Sequence, residues 1–215
     1  MKKTNRKNLI ISGCFLAVFL LWTMVVSFVD VQPIGPEGSA VGLATFNGFV
    51  HRLTGVHMEL YLLTDWLSVI PLLIAVGFGL LGLVQWIQRR SLLRVDFSIL
   101  ILGGFYVVVA ALFLFFEACV INYRPILIDG ILEASYPSST TLLVLCVMPT
   151  SLLQFRGRIR HVLLRRCVTF LIIGFTAFMV IGRLISGVHW VTDIIGGIQL
   201  SAGLVMLYRT LTALR

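Results

Sequence analysis

Residues 168–208 read "VTFLIIGFTAFMVIGRLISGVHWVTDIIGGIQLSAGLVMLY", two apolar runs joined through the stretch "GRLISGVHWVTD" at 182–193. Each run suits a membrane-spanning helix, of which about 20 apolar residues are needed. Gly187 is a natural break, so one helix is expected to end near Ser186 and the next to begin near His189. That break carries Arg183, His189 and Asp193. Ionisable groups are costly at membrane depth, so these three call for a function that outweighs the cost.

The rest of the chain extends this reading. Of its 215 residues 59% are hydrophobic and only 12% charged, and the mean hydropathy of +1.01 is far too apolar for a soluble domain of this size. A window of about 19 residues finds six spans, at 8–29, 67–87, 98–120, 140–155, 168–185 and 191–208. The expected fold class is therefore all-α, a six-transmembrane helical bundle. No low-complexity tract, long linker or repeat divides it, so residues 1–215 are taken as a single membrane-embedded domain. The basic start "MKKTNRK" precedes an apolar run longer than a signal core, with no clear cleavage site after it, and is read as a retained helix.

Charge sets the expected orientation. With both termini cytoplasmic, 14 of the 17 basic residues fall inside, among them Lys2, Lys3, Arg6, Lys7, Arg89, Arg156, Arg165 and Arg215. Only Arg52, Arg124 and Arg183 remain outside. The net charge of +8 then describes inner loops facing anionic lipid, and no nucleic-acid partner is implied. Cys14, Cys119, Cys146 and Cys167 lack metal-ligand spacing and read as small apolar fillers, so neither a disulfide framework nor a metal site is expected.

The polar chemistry collects on the outer side. Between the first two spans, a Gly/Pro-rich loop leads into residues 45–63, where Phe46, Phe49, Val50, Leu53 and Leu60 follow helical spacing and predict an amphipathic segment on the membrane surface. His57 lies near its apolar stripe, and interfacial packing is its plainer reading. Three further stretches meet the outside at span ends: "EACVINYRP" (117–125), "YPSSTT" (136–141) and "GRLISGVHWVTD". Four residues separate His189 from Asp193, so that the carboxylate can hold one imidazole nitrogen and leave the other for a substrate. Ser138, Ser139 and Thr140 open a helix whose first amides and dipole suit an anion. Pro125 holds Arg124 out of helical geometry. Taken singly, each piece could be an anchor, a cap or a packed interfacial residue. Together, two arginines, a helix start and a carboxylate-backed histidine suit a phosphate group.

These residues resemble the type 2 phosphatidic-acid phosphatase superfamily, whose members carry three motifs: Lys, six residues, Arg-Pro; Pro-Ser-Gly-His; and Ser-Arg, five residues, His, three residues, Asp. Here the third reads Arg183, His189, Asp193 with Gly182 for the serine. The first keeps Arg124-Pro125 but has Glu117 for the lysine. The second keeps Pro137-Ser138 but has Ser139-Thr140 for Gly-His. The resemblance implies a hydrolase without cofactor or metal, acting on a lipid phosphate or polyprenyl diphosphate at the outer face of the cell membrane. His189 would form a phosphohistidine with Asp193 orienting it, while Arg124, Arg183 and the Ser138–Thr140 amides hold the phosphoryl oxygens.

The missing motif histidine is the family's leaving-group acid, help typically worth about 10²- to 10⁴-fold. His57 or a protonated Glu117 could stand in, or the leaving group could need no proton, as a lipid diphosphate would not. For Glu117, with apolar and small neighbours, an ion pair with Arg124 or Arg183 is the first-ranked role. The alternative is a catalytically impaired relative that binds, senses or transports lipid phosphates. A structural membrane protein without ligand would leave the outer arginines without purpose. Nothing in the sequence sets the oligomeric state.

Overall fold

The computed structural model describes residues 3–213. Lys2 and Arg215, both expected on the inner side, lie outside the described residues. The helices are α1 (Lys3–Phe28), α2 (Ala44–Thr54), α3 (Met58–Leu67), α4 (Val69–Arg89), α5 (Phe97–Ala118), α6 (Ser139–Arg158), α7 (Val162–Ile185) and α8 (Val191–Thr212). Six stretches among the described residues are long and apolar enough to span a membrane, α3 and α4 together forming the second, Met58–Arg89. The protein is an all-α membrane bundle.

Burial runs against hydropathy. The α6 and α8 spans have the lowest mean hydropathies, 1.2 and 1.4, yet each is 56% buried; the other four, at 2.2 to 2.8, are 11 to 28% buried. A lipid-facing helix must be apolar outward, whereas a central helix needs small and hydroxyl-bearing residues that let backbones approach. α1 lies along α8, where a Cβ on Gly203 would meet Leu16 at 2.7 Å and Ser12 Oγ donates to the Gly203 carbonyl at 2.8 Å. The peripheral helices turn Val107, Phe170 and Leu171 outward, each at least 70% exposed.

The connection between the first two spans differs from the expected single amphipathic stretch at 45–63. Gly55, at φ +67°, breaks it. α2 presents Phe46, Phe49 and Leu53 away from the protein, as a surface helix does. α3 instead runs on into α4 through Ser68, so the second span begins at Met58 rather than Leu67. Its Leu62, Leu63 and Trp66 are exposed, while Tyr61 and Thr64 pack inward.

α7 and α8 are joined through Gly187, at φ +68°. A Cβ there would lie 1.8 Å from the Gly55 carbonyl oxygen, so both its conformation and its neighbour demand glycine. The same end of the bundle carries the α5–α6 loop. Arg156 and Arg158 end α6, and Arg165 and Arg166 open α7 at the other end.

Candidate functional site

The α5–α6 loop, residues 119–138, folds back on itself in two legs. Arg124 N donates to the Glu133 carbonyl at 3.1 Å and Ser135 N to the Asn122 carbonyl at 2.9 Å. The pairing brings Arg124, on one leg, and Ser135, on the other, against the start of α8. Asp193, in the first turn of α8, is fully buried and accepts the Trp190 N–H at 2.9 Å through Oδ2.

His189 lies just before α8 rather than on it, so its spacing to Asp193 does not act through helical geometry. Nδ1 is 4.0 Å from Asp193 Oδ2, too far for a hydrogen bond. Ser135 bridges them: its Oγ–H donates to Asp193 Oδ2 at 2.5 Å, and its oxygen lies 3.0 Å from His189 Nδ1. With the serine proton spent on the carboxylate, the serine oxygen is left to accept, so Nδ1 carries the imidazole proton. Nε2 then keeps its lone pair, and it is buried without a partner.

Two guanidiniums stand near this nitrogen. Arg183 is 1% and Arg124 9% exposed, and their Cζ atoms lie 4.8 and 5.7 Å from the centroid of one ring, Tyr61 of α3. Arg183 Nη2 donates to Asp65 Oδ1 at 2.7 Å and also to Thr140 Oγ1. Arg124 Nε lies 3.0 Å from Glu133 Oε2 but is not aimed at it. Arg183 Nε and Nη1 and Arg124 Nη1 remain buried without partners. An unsatisfied buried donor costs about 1–3 kcal/mol, more when charged. Several of them around one free imidazole nitrogen form a cradle for an oxyanion.

The start of α6 contributes less than the sequence suggests. The Ser138 amide is spent on the Asp193 carbonyl at 3.2 Å and its hydroxyl accepts from Thr141. That places Ser138 as a strut between α6 and α8. The amides of Ser139 and Thr140, in the first helical turn, have no protein acceptor among the described residues.

Both reserve candidates for the leaving-group acid are displaced. His57 is exposed, and its Nε2 is 2.9 Å from the Thr54 carbonyl of its own turn. Glu117 is exposed at the end of α5 rather than partly buried, and it pairs with neither arginine, since Arg124 has Glu133 and Arg183 has Asp65. Sequence reasoning passed over Ser135, Tyr61, Asp65 and Glu133. For Asp65 there was a signal, because it is a carboxylate in an apolar stretch, as costly there as Arg183.

Burial holds the His189 imidazole well below its ordinary value of 6.5, and the positive charges of Arg124 and Arg183 push the same way. The unfolded chain therefore binds the extra proton first as pH falls, and folding loses stability below about 6.5, not above it. If His189 must be neutral to act, the acid limb of kcat/KM due to it is expected below 6.5. An acid limb at or above that value in a pH–rate profile would mean that the imidazole is not held in this buried, cationic setting.

The model of the PAP2 superfamily matches residues 118–215, the stretch that contains Arg124, the start of α6 and the turn around His189. Over this stretch, a little under half of the chain, the sequence is similar to that superfamily, the type 2 phosphatidic-acid phosphatases. Its fold is similar to that in the "crystal structure of the first transmembrane PAP2 type phosphatidylglycerolphosphate phosphatase from Bacillus subtilis", with a TM-score of 0.56 over 92% of this chain and 94% of that one, at 16% identity. No curated protein matches the chain by sequence.

Proposed function

We propose that this protein is a membrane lipid phosphatase that hydrolyses a lipid phosphate or polyprenyl diphosphate through a phosphohistidine, without a metal. The observation that carries the reading is the unpartnered, buried Nε2 of His189 beside the unpartnered nitrogens of Arg124 and Arg183. A site for binding alone needs the arginines but has no use for an imidazole fixed in the nucleophilic tautomer.

In this mechanism His189 Nε2 attacks phosphorus. Ser135 holds the Nδ1 proton and passes the growing positive charge on to Asp193. Arg124, Arg183 and the Ser139 and Thr140 amides bind the phosphoryl oxygens, whose charge rises toward the transition state. A cavity of about 450 Å³ runs from Asp65, Ser139 and Thr140 between α4, α5 and α6, past Leu72, Val109 and Val147, and suits the hydrophobic tail. The basic end of α6 and basic start of α7 lie away from the site, and the tendency of positive loops to stay inside supports a site at the outer face of the cell membrane.

The test is phosphate release by purified protein in detergent, with chelator present, from polyprenyl diphosphate, phosphatidic acid and phosphatidylglycerol phosphate. Release from at least one of them is expected. No release from any would leave a lipid-phosphate binder or carrier as the better reading.

A further inference from the structure

The position that carries the family's leaving-group histidine is Thr140 here, and a threonine hydroxyl is too weak an acid to protonate an alkoxide at neutral pH. Thr140 is not alone at that corner. Its Oγ1 and Asp65 Oδ1 both take hydrogen bonds from the same nitrogen, Arg183 Nη2, which places the two oxygens within reach of one small group. Asp65 arrives there from α3. It lies four residues after Tyr61 and so on the same helical face as the ring on which both guanidiniums rest. The approach is close because a Cβ on Gly182, where the family has serine, would meet Thr64 at 2.8 Å. The small residue next to Arg183 thus admits the helix that brings Asp65.

The cavity gives the direction. Asp65 and Thr140 line the end of the apolar cavity nearest Arg183, and among the described residues Asp65 is the only carboxylic acid along its wall, which His189 does not join. A chain lying in this cavity puts its ester oxygen, the leaving oxygen, next to Asp65, with the phosphorus between that oxygen and the imidazole. The Asp65 side chain is 55% exposed, so it can exchange protons with water between turnovers. Arg183 is its partner at 2.7 Å, and Tyr106, the other titratable wall residue, is tied to Thr150.

Resting on the phosphatase reading above, we propose that Asp65 is the proton-transfer residue of this site and does the work of the absent histidine. As His189 Nε2 bonds to phosphorus and the P–O ester bond breaks, the Asp65 carboxyl gives its proton to the departing oxygen and the alcohol leaves. Water then attacks the phosphohistidine, its proton passes to the Asp65 carboxylate, the P–N bond breaks, and inorganic phosphate and the original imidazole are restored. The site is thereby equipped for esters of ordinary lipid alcohols as well as for diphosphates.

Asp65→Asn separates proton transfer from support of Arg183, because the amide oxygen can still accept the Nη2 hydrogen bond but the group carries no transferable proton. The full-length protein would be assayed on a long-chain alkyl phosphate and on an alkylated nitrophenyl phosphate, whose leaving group needs no proton. Asp65→Asn is expected to lower kcat on the alkyl ester by roughly 10²- to 10³-fold and on the nitrophenyl ester by less than about tenfold. Equal losses on the two esters, or no loss on the alkyl ester, would overturn the assignment of Asp65 while leaving the phosphatase reading in place. Hydrolysis of neither ester by the unaltered protein would overturn both.

Discussion

His189→Ala is expected to reduce phosphate release by on the order of 10⁴-fold or more while leaving affinity for a lipid phosphate within a few-fold of the parent protein. Loss of a covalent nucleophile has no partial substitute, since Ser135 and Asp193 act only through the imidazole and other groups in the site bind or transfer protons. Binding should survive because the unpartnered nitrogens of Arg124 and Arg183 do not depend on the imidazole and keep their supports on Tyr61, Glu133 and Asp65. Paired measurements of release and of lipid-phosphate binding on the purified variant decide the matter. Undiminished release would remove His189 from the mechanism. Unchanged binding in the variant, with no release from the unaltered protein, would remove the enzyme reading altogether.

Arg183→Ala should act on the opposite quantity. The guanidinium is fully desolvated, and its loss removes two donors aimed at the anion and leaves Asp65 and Thr140 without their shared partner. Truncating one partner of the buried charge pair that Arg183 would form with a bound phosphate costs about 2–5 kcal/mol, and at about 1.4 kcal/mol per tenfold this is a loss of affinity of roughly 30-fold to several thousand-fold. Arg183→Lys should recover only part of it, because an ammonium carries the charge but cannot serve Asp65, Thr140 and a phosphate at once as a planar fork does. Lipid-phosphate affinity, measured with the thermal midpoint in detergent as a check on folding, tests this. A variant with lowered midpoint but unchanged affinity would make Arg183 a structural residue only.

Much of the site was legible because the membrane makes charge conspicuous. Arg124, Arg183, His189 and Asp193 stand out against apolar spans, and the reversal at Gly187 follows from a glycine between two such spans. The contributions that escaped notice came from residues with ordinary surroundings in sequence. Ser135 is one hydroxyl in a run of several, and only the pairing of the loop's two legs sets it between His189 and Asp193. Tyr61 and Asp65 were hidden by placing the start of the second span at Leu67, which left α3 outside the membrane helix whose Tyr61 ring both guanidiniums face.

The assignment of partners was beyond any pattern in the sequence. Glu117 and His57 stood out in the sequence and Glu133 and Asp65 did not, yet packing leaves the first two at the surface and sets the second two beside the guanidiniums. By itself the sequence determined that the chain is a helical membrane bundle with ionisable side chains gathered at the ends of its spans. The cost of burying charge and the length of apolar runs are local properties, written residue by residue. Which carboxylate faces which arginine, and which hydroxyl joins histidine to aspartate, was decided only by the tertiary structure, because those contacts join α3, the α5–α6 loop, α7 and α8 across gaps in sequence that no periodicity spans.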